Sequence, residues 1–137
     1  MLVNLVLLYA AFIVTIYIHE LGHFGKKIKI KFFPPVGMSV AGRWRLGGLI
    51  ANLLVAGLIF LWKPDLLFIQ YIGLTSWIHF ILYSIIGSFN VDAGYIDGVR
   101  VWDDVDNRAK FLFVPAGILV AVTGWNYFVP VLIGVFT

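Results

Sequence analysis

Three residues close together near the start of the chain hold most of its chemistry. His19-Glu20-Leu21-Gly22-His23 has the form H-E-x-x-H. On an α-helix, four residues advance about 6 Å and slightly more than one turn, so both imidazoles leave the same face. One tetrahedral zinc ion takes two nitrogen ligands at about 2.0–2.1 Å from such a spacing. Glu20 falls beside them, where it can take a proton from water polarised by the metal. The chain has 3 histidines and a single glutamate, and that glutamate stands between two of the histidines. With 0 cysteines there is no thiolate site, so a metal must be held by His, Asp, Glu or Asn. The chemistry this constellation can do is metal-assisted hydrolysis, with Glu20 as the proton carrier.

A catalytic zinc keeps one open position and uses three protein ligands, so a third ligand must come from elsewhere. The candidates are His79, Asp92, Asp97 and the cluster Asp103, Asp104 and Asp106. His79 stands eleven residues before Asn90, about 16 Å back along a helix. That depth suits a polar contact within a bundle better than ligation. The cluster reads as a solvated loop. Asp92 and Asp97 remain, both within Asn90-Val91-Asp92-Ala93-Gly94-Tyr95-Ile96-Asp97-Gly98, where Asp97-Gly98 allows the backbone a sharp turn.

The elements that must position these groups are membrane helices. The 137 residues are 61% hydrophobic and 12% charged, against about 25% charged in soluble domains. This composition excludes a soluble globular protein, a disordered chain and a nucleic-acid binder. Of the 17 charged residues, 14 lie in residues 25–45 and 90–110. Between them run four apolar stretches, about 2–24, 46–62, 66–89 and 111–136, each near the roughly 20 residues that a spanning helix needs. Lipid offers the backbone no hydrogen bonds, so such runs must be helical. The second is short, and Arg45 and Lys63 can snorkel at its ends. The expected fold is an all-α membrane protein with four transmembrane helices, a single domain over 1–137 with no appended soluble domain and no cleaved secretory signal.

Lys and Arg set the orientation. The loops after the first and third spans carry nine of them, and the loop between the second and third carries only Lys63. Both charged loops are therefore expected in the cytoplasm, with the N- and C-termini outside. The first and third spans then run in the same direction, and their inner ends lie at one depth. In the first loop, Ile28-Lys29-Ile30-Lys31-Phe32 alternates with the period of a strand, and Pro34-Pro35-Val36-Gly37 reads as a turn. A small interfacial β-hairpin is expected at about 28–44.

At three places the chain resembles the site-2 proteases, a family of intramembrane zinc metalloproteases. These are His19-Glu20-Leu21-Gly22-His23; Gly47-Gly48-Leu49-Ile50-Ala51-Asn52-Leu53-Leu54-Val55-Ala56, similar to the family's A-G-P-x-A-N-x-x-x-A; and Asn90 through Asp97-Gly98, similar to N-x-x-P-x-P-x-L-D-G. The last lacks the prolines and is one residue shorter between Asn and Asp. Their order and the three spans that carry them cover roughly residues 10–100, and the family has a membrane-associated β-loop where the hairpin is expected. The resemblance implies Zn(2+) on His19, His23 and Asp97, Glu20 as the catalytic acid and base, and Asn52 and Asn90 in substrate binding or support of the site. The implied activity is hydrolysis of a peptide bond in or near the transmembrane segment of a membrane protein, a single-pass one by analogy. The competing expectation is a catalytically inactive relative that binds a client helix or a metal. Gly47 and Gly48 read as close-packing residues.

Overall fold

Leu2–Gly22 forms helix α1 in the computed structural model, which describes residues 1–24, 26–40, 46–85 and 107–137. Two antiparallel strands follow, β1 (Lys26–Lys31) and β2 (Val36–Val40). Three more helices complete the described chain: α2 (Gly47–Trp62), α3 (Leu67–Ile85) and α4 (Asn107–Phe136). Three stretches, Leu2–Gly22, Leu67–Ile85 and Leu112–Phe136, are long and apolar enough to cross a bilayer, as a multi-pass membrane protein requires. Helix α2, at 16 residues, is shorter. Asp92, Asp97, Asn90 and the Asp103–Asp106 cluster lie outside the described residues.

Helix α3 is the axis of the bundle. Half of its apolar window is buried, against 22% for α1 and 17% for α4, so α1 and α4 are the helices that turn most of their surface outward. Tyr71, Leu74 and Trp77 of α3 pack with Ala56 and Ile59 of α2 and Phe128 and Val135 of α4. The Trp77 ring stacks on Phe128 at 5.3 Å, and its Nε1–H donates to the Val120 carbonyl at 2.8 Å. Dispersion and interhelical hydrogen bonds of this kind hold helices together where lipid removes the hydrophobic drive.

Helices α1 and α3 run parallel and in register. Thr15 Oγ1 lies 2.6 Å from Thr75 Oγ1, and one turn further on the His19 and His79 rings are 5.0 Å apart. A constant offset of 60 residues from one pair to the next means both helices advance in the same direction at the same level. Helix α4 starts earlier than the apolar run, so Arg108 and Lys110 belong to its first turn rather than to a loop. Pro115 and Pro130 lie inside it, and each removes one backbone donor without ending the helix.

The hairpin forms over Lys26–Val40 and folds back alongside α1 rather than projecting from its end. The Phe33 ring stacks on Tyr9 at 5.5 Å, and the Tyr9 hydroxyl donates to the Phe32 carbonyl. A six-residue strand is about 20 Å long, the same as the helix length from Tyr9 to Gly22, so the turn meets α1 at the level of Tyr9. Lys26, Lys27, Lys29 and Lys31 are exposed while Ile28 and Ile30 are half-buried, the alternation read from the sequence. Lys27, with φ of 58°, marks an irregularity in the pairing between Lys26 and Lys29.

Candidate metal and catalytic centre

The end of α1 meets the start of α2 through glycines. A Cβ placed on Gly22 would collide with the Gly47 carbonyl, and one on Gly47 with the Gly22 carbonyl. Their absence lets the two backbones touch, which brings the face of α2 that carries Gly48 and Asn52, one turn apart, against His19. A Cβ on Gly48 would stand 2.5 Å from His19 Nε2. The close-packing role expected of Gly47 and Gly48 is thus their observed role, and the packing they permit is that of the histidine itself.

His19, Glu20 and His23 are buried, at 3%, 5% and 6% exposure. Ionisable side chains sunk in a membrane helix are costly and mark a functional site by default. The His19 and His23 rings stand edge to face, with centroids 4.9 Å apart and planes at 80°. An imidazole binds a metal along a lone pair lying in its own ring plane, so two nearly perpendicular planes share a line on which one ion can sit. The Asn52 amide nitrogen lies 3.1 Å from His19 Nδ1. The same Asn52 has a buried Oδ1 with no hydrogen-bond partner among the described residues. Turning the amide by 180°, which leaves its shape unchanged, pairs Oδ1 with a proton on Nδ1 and puts the amide N–H groups where Oδ1 had no partner. His19 Nε2 then carries the lone pair, as an outer carbonyl fixes it in metal-binding histidines. Two imidazoles on one face of α1, with the Asn52 amide against His19 Nδ1, fit a metal held by His19 and His23. Among the described residues, no three His, Asp or Glu side chains form a complete cage. The third ligand assigned by resemblance, Asp97, lies outside those residues, as does Asn90.

Asn52→Ala removes the group that fixes His19 and nothing that touches the metal directly. It is expected to weaken zinc affinity by about 10–100-fold, measured by competition with a chromogenic chelator, while the helical content stays the same.

A cleft of about 520 Å³ opens beside this centre. Its walls are α1, α3 and the first residues of β2, and Leu132 of α4 borders its far part. His19, Glu20, His79 and Tyr83 line it at one end, and Val36 and Gly37 of β2 face them. Strand β2 comes so close that a Cβ on Gly37 would stand 2.7 Å from Glu20 Cγ and 2.9 Å from its Oε1. Within the described sheet, β2 pairs only with β1, so its second edge has no strand partner there.

His79 corrects one sequence expectation. Counting back from Asn90 places it too deep for the centre, yet its ring lies 5.0 Å from His19 and 4.4 Å from Tyr83. Its depth is set by the parallel register of α3 on α1, in which residue 79 is level with residue 19. The signal was present as a repeated spacing, Thr15-x-x-x-His19 in one helix and Thr75-x-x-x-His79 in the other. Tyr83 and Gly37 carried no comparable signal.

No protein-family model, curated protein or solved structure matches this chain.

Proposed function

We propose that this chain is an intramembrane zinc metalloprotease that hydrolyses a peptide bond in or near the transmembrane segment of a single-pass membrane protein. The observation that carries the proposal is the buried His19-Glu20-His23 constellation, of which His19 and Glu20 line a cleft also bordered by Val36 and Gly37 of β2. In this reading α2 is a fourth span, the termini lie outside, and the centre faces the cytoplasmic side, as the Lys and Arg distribution favours.

His19, His23 and Asp97 would hold the zinc. When bound, zinc acts as a Lewis acid on water and on the carbonyl. The protein's own residues do the rest. Glu20 accepts a proton from the attacking water as its oxygen bonds to the carbonyl carbon. It then delivers that proton to the amide nitrogen as the C–N bond breaks, leaving a carboxyl and an amine terminus. Asn52 holds the His19 ring in place.

A helical substrate hides its carbonyls in i→i−4 hydrogen bonds and must unwind to be cut. The second edge of β2, which has no strand partner within the described sheet, would offer replacement hydrogen bonds to an extended segment by strand addition, and Gly37 of that strand lies beside Glu20.

The test uses the purified full chain in liposomes with a tagged single-span reporter carrying a Gly-Pro pair in mid-span. One zinc per chain is expected, with cleavage of the reporter, and loss of both in His19→Ala and His23→Ala. A chain that cleaves at the same rate without metal, or whose zinc survives loss of both histidines, overturns the proposal. A metal-free chain that only retains the reporter would indicate a client-binding protein instead.

A further inference from the structure

We propose that the exposed side of β1 is a docking site for anionic phospholipid, with Lys26, Lys27, Lys29 and Lys31 holding the headgroup phosphates. The inference goes beyond the hydrolase reading and does not depend on it. All four lysines are exposed, within a strand of six residues. From Leu21 to Pro64 the sequence holds no Asp or Glu, so no acidic side chain of the hairpin or of α2 offsets their charge. Four ammonium groups so close together repel one another, and an anionic partner relieves that repulsion.

The depth of the lysines and the order of groups along the hairpin identify the partner. Gly37 of β2 lies against Ile16 and Glu20 of α1, and its partner in β1 is Ile30. Lys29 and Lys31 are therefore level with the last two turns of α1, and Lys26 and Lys27 lie nearer its end. The helix from Ile16 to Gly22 is about 9 Å long, a distance that a lysine stem largely covers when its ammonium reaches for the headgroups. Past Lys31 the character reverses. Phe32 and Phe33 are 56% and 78% exposed, at the tip that reaches Tyr9, further into the span. Cations at the end of a spanning helix and bare aromatic rings deeper along it follow the order of a lipid itself, phosphate outside and acyl chain within. An acidic peptide would pair with the lysines but has no acyl chain to cover the two phenylalanines. Four or more lysines beside a spanning helix are drawn to anionic lipid within a screening length of the surface.

The test reconstitutes the full chain in liposomes of phosphatidylcholine with a minority of phosphatidylglycerol. The chain is extracted in mild detergent, and the phospholipid that stays with it is measured by mass spectrometry. Phosphatidylglycerol is expected to be enriched at least about fivefold over the bilayer, the effect of one lysine at an anionic surface. Combining Lys26→Gln, Lys27→Gln, Lys29→Gln and Lys31→Gln is expected to bring the ratio to within about twofold of the bilayer, with helical content unchanged. The corresponding four arginine replacements keep the charge and are expected to keep the enrichment. Lys63→Gln, at the C-cap of α2, is the control and is expected to keep it too. Extracting wild type at about 1 M salt, where the screening length is about 3 Å, is expected to give the same loss with no substitution, which tests the proposal even if the glutamine variant does not fold. Wild type with no enrichment overturns the proposal. So does enrichment that survives the glutamine variant or the salt, or that is lost in the arginine variant or in Lys63→Gln. Reporter cleavage enters none of these outcomes, so the protease reading stands or falls separately.

Discussion

Glu20→Gln is expected to leave the bundle folded and zinc bound at one per chain, while reporter cleavage falls by about 10²–10⁴-fold, the contribution of a positioned general acid–base. The substitution is nearly isosteric, so the contact of Glu20 with β2 at Gly37 persists. Only the capacity to take up and return a proton is lost. The expected pattern is a drop in kcat with the metal content unchanged, measured on the same preparation. It separates chemistry from structure, because a merely structural carboxylate would lose folding or zinc along with rate. Cleavage by Glu20→Gln at the wild-type rate would end the general-base assignment.

Gly48→Val is expected to empty the metal site without altering any ligand. A Cβ at residue 48 would stand 2.5, 2.6 and 2.7 Å from three atoms of the His19 ring, far inside van der Waals contact. The ring cannot retreat, because His79 and His23 pack against it. Either α2 moves away or His19 leaves its rotamer, and overpacking of this kind costs about 1–3 kcal/mol. Zinc affinity is expected to fall by about 100-fold or more, beyond the outer-shell range that applies to Asn52, and cleavage to fall with it. Gly57→Ala on the same helix is the control, since a Cβ there meets nothing within 4 Å. Its zinc affinity and melting temperature are expected to match wild type. Zinc binding by Gly48→Val at full affinity would show that His19 is not held as described.

Between them, these variants separate the residue proposed to move the proton from the packing that holds the proposed ligand His19. Asn52→Ala lies between: it removes a hydrogen bond rather than adding volume, so its effect on zinc is graded. The order of zinc loss, Gly48→Val above Asn52→Ala above Glu20→Gln, is itself a test of which groups support His19.

What the sequence determined by itself is whatever depends on local spacing and on the scarcity of charge. Two histidines four residues apart share a helix face because the helix has 3.6 residues per turn, and a long run without charge must be a helix when lipid surrounds it. The alternation of lysine and isoleucine over residues 28–31 dictates a strand, and the glycines at 47 and 48 a close helix contact. The tertiary structure alone decided what lies across from these groups. His79 joins the centre because α3 packs parallel to α1 with residue 79 level with residue 19, a register fixed by the fit of Thr15 against Thr75 and not by distance along the chain. Asn52 reaches His19, and Gly37 reaches Glu20, because missing side chains let a helix and a strand approach α1 at two different points. Such contacts join residues 17 to 60 positions apart, and their energy comes from packing between elements, which local sequence patterns do not encode.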